Sequence, residues 1–229
     1  WIGGDPNSDL IEFFYYPYHN SSVIKSIQGG KLWEKKLYDI YKNILKPSSV
    51  VVDIGAFIGT HTACFSKLCK DGIVYSFEPC SVPFKCLQKT VIENNLDNVI
   101  ISSLAISNKH EEKELLTNYD GDSRFKEYVK TDRFKHCAKL QCRTLDSFDI
   151  PYCTIIKIDT EKHEWCVLDG STETINRCRP IILIETFKSK SNLNKLKEWV
   201  KNNNYDYTSL KGDDYILIPT NNENLDLVS

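Results

Sequence analysis

The chain has 229 residues, 41% hydrophobic and 26% charged, which is the composition of a globular domain with one sizeable core. A formal net charge of −2 argues against a nucleic-acid partner. Nine cysteines without a Cys-x-x-Cys pair favour reduced thiols over a disulfide framework or a structural zinc site. No apolar run is long enough to span a membrane and no leader pattern is seen, so we expect a cytoplasmic protein without a membrane span.

Residues 1–46 are predicted to lead into the main domain. The aromatic run at 13–18 predicts an edge strand or a core contact, and a helical pattern extends from Ile27 to Leu45, before Lys46-Pro47. A segment of this kind can cover a cleft, so a lid is one role open to it.

From residue 47 to residue 220, apolar strands alternate with helices, which predicts an α/β, doubly wound, mostly parallel Rossmann-like sheet. The strands are predicted at 50–54, 73–77, 99–102, 154–159 and 181–185. The helices are predicted at 60–70, 81–95, 164–177 and 192–203. Strands 111–117 and 140–144 interrupt this rhythm, strands 206–209 and 215–218 form an antiparallel C-terminal hairpin, and 221–229 is a polar tail.

A glycine turn follows the first strand of this domain. Gly55 allows a sharp turn close to a ligand, and Gly59 precedes a helix start at Thr60, whose free amides can face a carboxylate. The spacing fits neither a dinucleotide fingerprint nor a phosphate loop. Asp53 would repel a pyrophosphate but could pair with the ammonium group of a sulfonium ligand. The turn therefore predicts binding of S-adenosylmethionine (SAM), with a turn that binds no ligand as the alternative.

The next two strand ends complete the predicted cofactor site. Glu78, followed by Pro79, can accept hydrogen bonds from both ribose hydroxyls, and its spacing from Gly59 favours that role over a helix cap. Residues 103–107, among them Ala105, occupy the expected adenine edge.

Candidate catalytic residues follow two later strands. Asp159 ends the strand at 154–159 and is followed by Glu161 and His163, and Glu185 ends the strand at 181–185. Methyl transfer needs an aligned acceptor, exclusion of water and, for a hydroxyl, removal of a proton. The alternative is that residues 161–164 form only the charged first turn of a helix. Glu185 could instead hold substrate or bind a divalent ion with Asp159, but no metal site is predicted.

Four ordered segments resemble the FkbM-type methyltransferase family, namely residues 51–59, 77–79, 157–164 and 179–185. The resemblance implies a class I methyltransferase sheet, SAM held by Gly55, Gly59 and Glu78, and O-methylation of sugars or other small metabolites. The family usually has Asn where this chain has Phe57 and Gly where it has Lys162. Phe57 loses an amide that could bond the cofactor, and Lys162 adds a cation beside the reaction centre. Either the acceptor differs, carrying negative charge, or activity is weakened.

Three alternatives stay open. The chain could be a silent SAM-binding module, or an RNA ribose 2'-O-methyltransferase that uses Lys157, Asp159 and Lys188, although its charge counts against RNA. A glycosyltransferase would need a metal-binding motif, for which only Asp120-Gly121-Asp122 qualifies, and that triplet is typical of a turn. The expected partner is a small molecule or glycan.

Overall fold

The computed structural model describes residues 2–3, 11–15, 21–31, 33–117, 123–129, 136–187, 189–210 and 212–220. Lys188 and the triplet Asp120-Gly121-Asp122 lie outside these ranges. The strands are β1 (Ile2–Gly3), β2 (Ile11–Glu12), β3 (Val50–Ile54), β4 (Ile73–Phe77), β5 (Val99–Ser102), β6 (Ala105–Ile106), β7 (Glu111–Thr117), β8 (Ser123–Phe125), β9 (His136–Arg143), β10 (Ile155–Ile158), β11 (Ile181–Glu185), β12 (Tyr205–Ser209) and β13 (Asp214–Pro219). The helices are α1 (Ser22–Gln28), α2 (Lys35–Ile44), α3 (Thr60–Leu68), α4 (Ser81–Glu93), α5 (Glu164–Asp169), α6 (Thr172–Cys178) and α7 (Lys190–Asn203).

A seven-stranded sheet with the order β12-β13-β11-β10-β3-β4-β5 forms the centre of the fold. The five strands from β11 to β5 are parallel, and β13 is antiparallel to both of its neighbours. The predicted mostly parallel α/β sheet with a C-terminal antiparallel hairpin is therefore confirmed. Strand order reverses between β3 and β10, which is where ligands bind in open sheets of this type.

The core lies on both faces of this sheet because adjacent strands are apolar without interruption. Val52 of β3 packs in one cluster with Ile156 and Ile182, whereas Val51 packs in another with Phe65 and Tyr41. Burying each aliphatic side chain of this size contributes about 1.5–3 kcal/mol, so the strand positions are strongly specified.

The strands β6, β7, β8 and β9 form a second, four-stranded sheet with the order β6-β9-β7-β8. The predicted strand at 140–144 is part of the longer β9, which pairs antiparallel with all of β7. Leu115 and Phe125 of this sheet are buried in a small cluster of their own. The sheet thus adds an apolar wall beyond the carboxyl ends of the central strands.

The N-terminal segment packs against the central domain. Ile11, Phe13 and Ile24 share a cluster with Ile58 and Leu96. The aromatic run therefore supplies a core contact in its described part, since Phe13 is buried. No helix within the described ranges combines the length and the apolar character that a bilayer crossing requires.

Two helices that were predicted to be continuous are each divided into two. The helix expected from Ile27 to Leu45 is instead α1 and α2, because the chain turns at Gly29 and at Gly30, whose φ is 75°. The helix expected at 164–177 is divided into α5 and α6 at Gly170. A β-carbon at position 170 would come within 1.9 Å of the Ser107 carbonyl oxygen, so a distant loop packs against this break.

Candidate active site

A cavity of about 590 Å³ opens beyond the carboxyl ends of β3, β4 and β10. Apart from Asp53 and Gly59, all of the predicted site residues line it, namely Gly55, Phe57, Thr60, Glu78, Pro79, Ala105, Asp159, Glu161, His163 and Glu185. The parallel register explains this convergence, because Ile54 pairs with both Ile158 and Phe77 and so brings three strand ends side by side.

The glycine turn is fixed by two constraints at Gly55. Its φ of 85° is unfavourable for residues with a β-carbon, and a β-carbon there would lie 1.8 Å from the Asp159 carbonyl oxygen. The amides of Gly55 and Ala56 both donate to the Phe77 carbonyl oxygen, at 2.9 and 3.0 Å. The turn after β3 is thus in backbone contact with the ends of β4 and β10.

Asp53 and Gly59 lie behind this turn. Asp53 is fully buried, and its Oδ2 accepts a 2.6 Å hydrogen bond from Thr62 Oγ1. Gly59 has a φ of 91°, and a β-carbon there would come within 2.8 Å of Leu87 Cδ1. Asp53 therefore anchors the start of α3, and Gly59 allows α3 to pack closely on α4.

Glu78 is held at the end of β4 by backbone amides. Its Oε2 accepts from the Phe57 amide at 2.9 Å and its Oε1 from the Cys80 amide at 2.7 Å. Burial raises the pKa of the Glu78 carboxyl to about 7, and Asp159 and Asp53 add to this, although the two amides act in the opposite direction. Each carboxyl oxygen keeps a lone pair free for a further donor.

Asp159 is one of three ionisable groups that meet at the other side of the cavity. Lys157 Nζ lies 3.2 Å from Asp159 Oδ2, and the Asp159 and Glu185 carboxyls share a hydrogen bond. Burial would raise the pKa of Asp159, but Lys157 and the bond with Glu185 hold it below its ordinary value. Burial and the Asp159 charge raise the pKa of Glu185 to about 9. Solvent screens part of the interaction with Asp159, because the Glu185 residue is exposed. At neutral pH, Asp159 is ionised and Glu185 keeps its proton.

The loop after Asp159 contains two consecutive residues at positive φ, Glu161 at 54° and Lys162 at 86°. The buried Glu164 stabilises this loop, because its Oε1 accepts from the amides of Thr160 at 3.3 Å and Lys162 at 2.9 Å. Glu161 Oε2 pairs with Arg124 Nη2 at 3.2 Å.

Both departures from the family pattern lie at left-handed backbone positions. Phe57 has a φ of 51° and Lys162 a φ of 86°, which asparagine and glycine adopt more readily than phenylalanine and lysine. The Lys162 ammonium lies 5.1 Å from the centre of the Phe187 ring, and Lys162 is not among the cavity-lining residues. The family's usual asparagine and glycine thus suit the left-handed backbone at these two positions. The cation that Lys162 adds lies outside the cavity.

His163 is buried, with hydrogen-bonding groups at both ring nitrogens. Nε2 lies 2.9 Å from Ser107 Oγ and Nδ1 3.0 Å from Tyr128 Oη. Burial lowers the pKa of His163 to about 4, so the ring is neutral at physiological pH. This arrangement holds the loop in place through residues of distant segments.

Sequence reasoning missed the part of the wall that comes from the N-terminal segment. Cavity-lining residues from it are Ser21, Ser22, Val23, Trp33 and Glu34. His61, in the first turn of α3, also lines the cavity. One sequence signal could have pointed to them, namely that Glu34 follows Trp33 shortly after the glycine pair Gly29-Gly30. The rest of the segment carries no such signal.

Metal ligands and cysteine pairing can be stated for the described residues. Within those ranges, no group of three His, Cys, Asp or Glu side chains could hold a metal ion. All nine cysteines are free thiols.

Comparisons with known proteins agree with this geometry. The model of the methyltransferase FkbM domain matches residues 53–207. The fold is similar to methyltransferase FkbM from Methylobacillus flagellatus KT, with TM-score 0.57 and 18% identity over 76% of this chain and 44% of that chain, so the chain spans less than half of that protein. It is also similar to a precorrin-6y C5,15-methyltransferase from Geobacter metallireducens GS-15 (TM-score 0.51, 13% identity, 90% and 92% covered) and to a putative rRNA methylase from Clostridium thermocellum (0.50, 14%, 80% and 92%).

No curated protein sequence gives a significant match. The family match covers more than half of the chain. The chain therefore belongs to the FkbM methyltransferase domain family.

Proposed function

We propose that this protein is a SAM-dependent O-methyltransferase that acts on a hydroxyl of a sugar, glycan or other small molecule in the cytoplasm. The observation that carries the proposal is the single cavity that Gly55, Glu78 and Asp159 share. It combines a close backbone approach, an acceptor for ribose hydroxyls and an ionised acid.

The residues present fit the cofactor. Gly55 leaves a cradle that a β-carbon would close, and Glu78 presents a carboxylate fixed by two amides. Glu78 would accept from the ribose hydroxyls, while Phe57, Thr60, Pro79 and Ala105 would enclose the remainder. When bound, SAM supplies an activated methyl group on a sulfonium sulfur. Asp53 and Gly59 would support this half of the site from behind.

Asp159 is the residue that we assign to the acceptor proton. It is ionised at neutral pH, and it can take the proton that an acceptor hydroxyl loses on becoming an ether. Lys157 holds the Asp159 carboxylate at 3.2 Å, and Glu185 donates its own proton to it. His163, whose two nitrogens already face Ser107 and Tyr128, is a positioning residue, and Glu161 orients Arg124 at the rim.

A silent SAM-binding module is the second candidate, because Phe57 departs from the family pattern inside the cofactor turn. Detection of methyl transfer to any acceptor, lost on Asp159→Asn, would exclude it. RNA is less favoured, since the cavity lining contains five acids and one lysine. A salt-sensitive signal with capped RNA in filter binding would revive that alternative.

The proposal is tested in two steps. Calorimetry with S-adenosylhomocysteine (SAH) tests the cofactor site, and SAH release in the presence of SAM and a panel of hydroxyl acceptors tests catalysis. We expect Asp159→Asn to lower the rate at least about 100-fold, with the SAH Kd changed less than about 3-fold. Asp169→Asn, which removes an exposed acid of α5, is the matched control. A protein that fails to bind SAH would contradict the proposal.

A further inference from the structure

Glu34 reaches the cavity from outside the family domain. The family match begins at Asp53, whereas Trp33 and Glu34 belong to the turn before α2 and line the cavity beside Asp159. This part of the wall is therefore supplied by a segment that the family pattern does not describe.

The Glu34 carboxyl is held by a buried pair of side chains. His61 Nε2 lies 2.9 Å from Glu34 Oε2, close enough for electrostatic attraction although it is not aligned as a hydrogen bond. His61 Nδ1 lies 3.1 Å from Tyr41 Oη. Burial raises the pKa of Tyr41 well above its ordinary value, so the Tyr41 hydroxyl keeps its proton. The His61 ring therefore lies between the Tyr41 hydroxyl and the Glu34 carboxyl.

The backbone at Glu34 is unusual for its residue type. Its φ is 50°, and although it occupies the N-cap of α2, its side chain makes no capping hydrogen bond. The carboxyl thus faces His61 and the cavity, where its side chain is 28% exposed, rather than the helix amides. A non-glycine residue at such a φ is strained, and residues of this kind are often found at functional sites.

The charges around Glu34 indicate what it can bind. The carboxyls of Asp159, Glu161 and Glu78 already contact Lys157, Arg124 and backbone amides respectively. The Glu34 carboxyl pairs with His61, and it also interacts electrostatically with Lys157 and Asp214. The cavity is acidic in sum, which repels anionic acceptors. A carboxylate beside an indole ring suits an uncharged polyol, whose hydroxyls donate to the acid while its C–H face packs on the aromatic ring.

We infer that Trp33 and Glu34 bind the acceptor, and that they select an uncharged sugar ring over a phosphorylated one. The inference rests on the proposed function, because it places the acceptor in the same cavity as the cofactor. His61 and Tyr41 act as positioning residues for the Glu34 carboxyl.

Binding of methyl glucoside and of its 6-phosphate, measured by saturation-transfer NMR with SAH present, tests this inference without requiring turnover. We expect the neutral sugar to bind more tightly than the phosphate to the wild-type protein. Glu34→Ala and Trp33→Ala should each weaken binding of the neutral sugar at least about 10-fold. The Kd of each variant for SAH should change less than 2-fold, which corresponds to about 0.4 kcal/mol in binding free energy. Asp39→Asn, which removes an exposed acid of α2, is the matched control and should bind like the wild type.

The outcomes separate the two proposals. If SAH binds but methyl glucoside does not, or if the phosphate binds equally well, the inference about Trp33 and Glu34 is overturned and the methyltransferase proposal stands. Equal sugar binding by Glu34→Ala and the wild type would overturn it as well. If SAH itself does not bind, the proposed function fails and this inference fails with it.

Discussion

The backbone of Gly55 is in direct contact with Asp159, since a β-carbon at position 55 would lie 1.8 Å from the Asp159 carbonyl oxygen. This contact joins the cofactor turn after β3 to the acidic loop after β10. The two halves of the site are therefore packed directly against each other.

Gly55→Ala should therefore destabilise the protein by at least about 3 kcal/mol and abolish SAH binding, because a steric clash with backbone adds to an unfavourable φ. Gly212→Ala is the matched control, since Gly212 has a similar φ of 79° but, among the residues that the structure describes, the nearest contact of a β-carbon there would be Asp214 Oδ2, at 4.0 Å. It should cost about 1 kcal/mol. Chemical denaturation of both variants measures this, and similar losses would show that the contact with Asp159 is unimportant.

Glu78 should make SAH binding depend on pH. Because its pKa is raised to about 7, the carboxyl is largely protonated at pH 6 and ionised at pH 8, and the ionised form is the better acceptor for ribose hydroxyls. Calorimetric affinity should rise over this range in the wild type and stay level in Glu78→Gln. A pH-dependence that survives in Glu78→Gln would assign it to another group.

The stability effect of Glu78 has the opposite direction. Its pKa is about 7 in the folded state against 4.5 ordinarily, so the folded state binds more protons in this interval. The free energy of unfolding of the wild type, relative to that of Glu78→Gln, is therefore highest below pH 4.5. It falls by up to about 3 kcal/mol as the pH rises through 7. Urea denaturation without ligand at pH 4.5, 6 and 7.5 measures this trend.

His163 should make the protein sensitive to acid. Its pKa is about 4 in the folded state against 6.5 ordinarily, so the unfolded state binds more protons between these values. The free energy of unfolding of the wild type, relative to that of His163→Gln, is therefore highest above pH 6.5. It falls by up to about 3 kcal/mol as the pH falls through 4. Denaturation at pH 4.5, 5.5 and 7 tests this. A constant difference between the two proteins would mean that His163 is not buried in its neutral form.

Lys162 should be less favourable than glycine at its position. Its φ is 86°, where only glycine is unstrained, so Lys162→Gly should be more stable than Lys162→Ala by about 1 kcal/mol. The alanine variant is the appropriate reference because it also lacks the side chain over Phe187 but keeps the β-carbon. Thermal unfolding of the two variants compares them. If alanine were as stable as glycine, the loop would not impose this φ.

Local sequence patterns predicted the parallel sheet and the edge at which the cavity opens. Strand periodicity places Gly55, Glu78 and Asp159 at carboxyl ends, and parallel pairing then brings those ends together. Continuity of the helices was harder to predict, since Gly170 interrupts one of them through packing against Ser107, more than sixty residues away in sequence.

By itself, the sequence determined the α/β class, the sheet edge at which the cavity opens and ten of the residues that line it, because those depend on the spacing of apolar residues and glycines along the chain. The tertiary structure alone decided which polar groups face the cavity and which are used internally. Asp53 is directed toward Thr62, His163 lies between Ser107 and Tyr128, and Glu34 faces His61. These contacts join segments far apart in sequence, so their geometry arises only when helices and sheets pack.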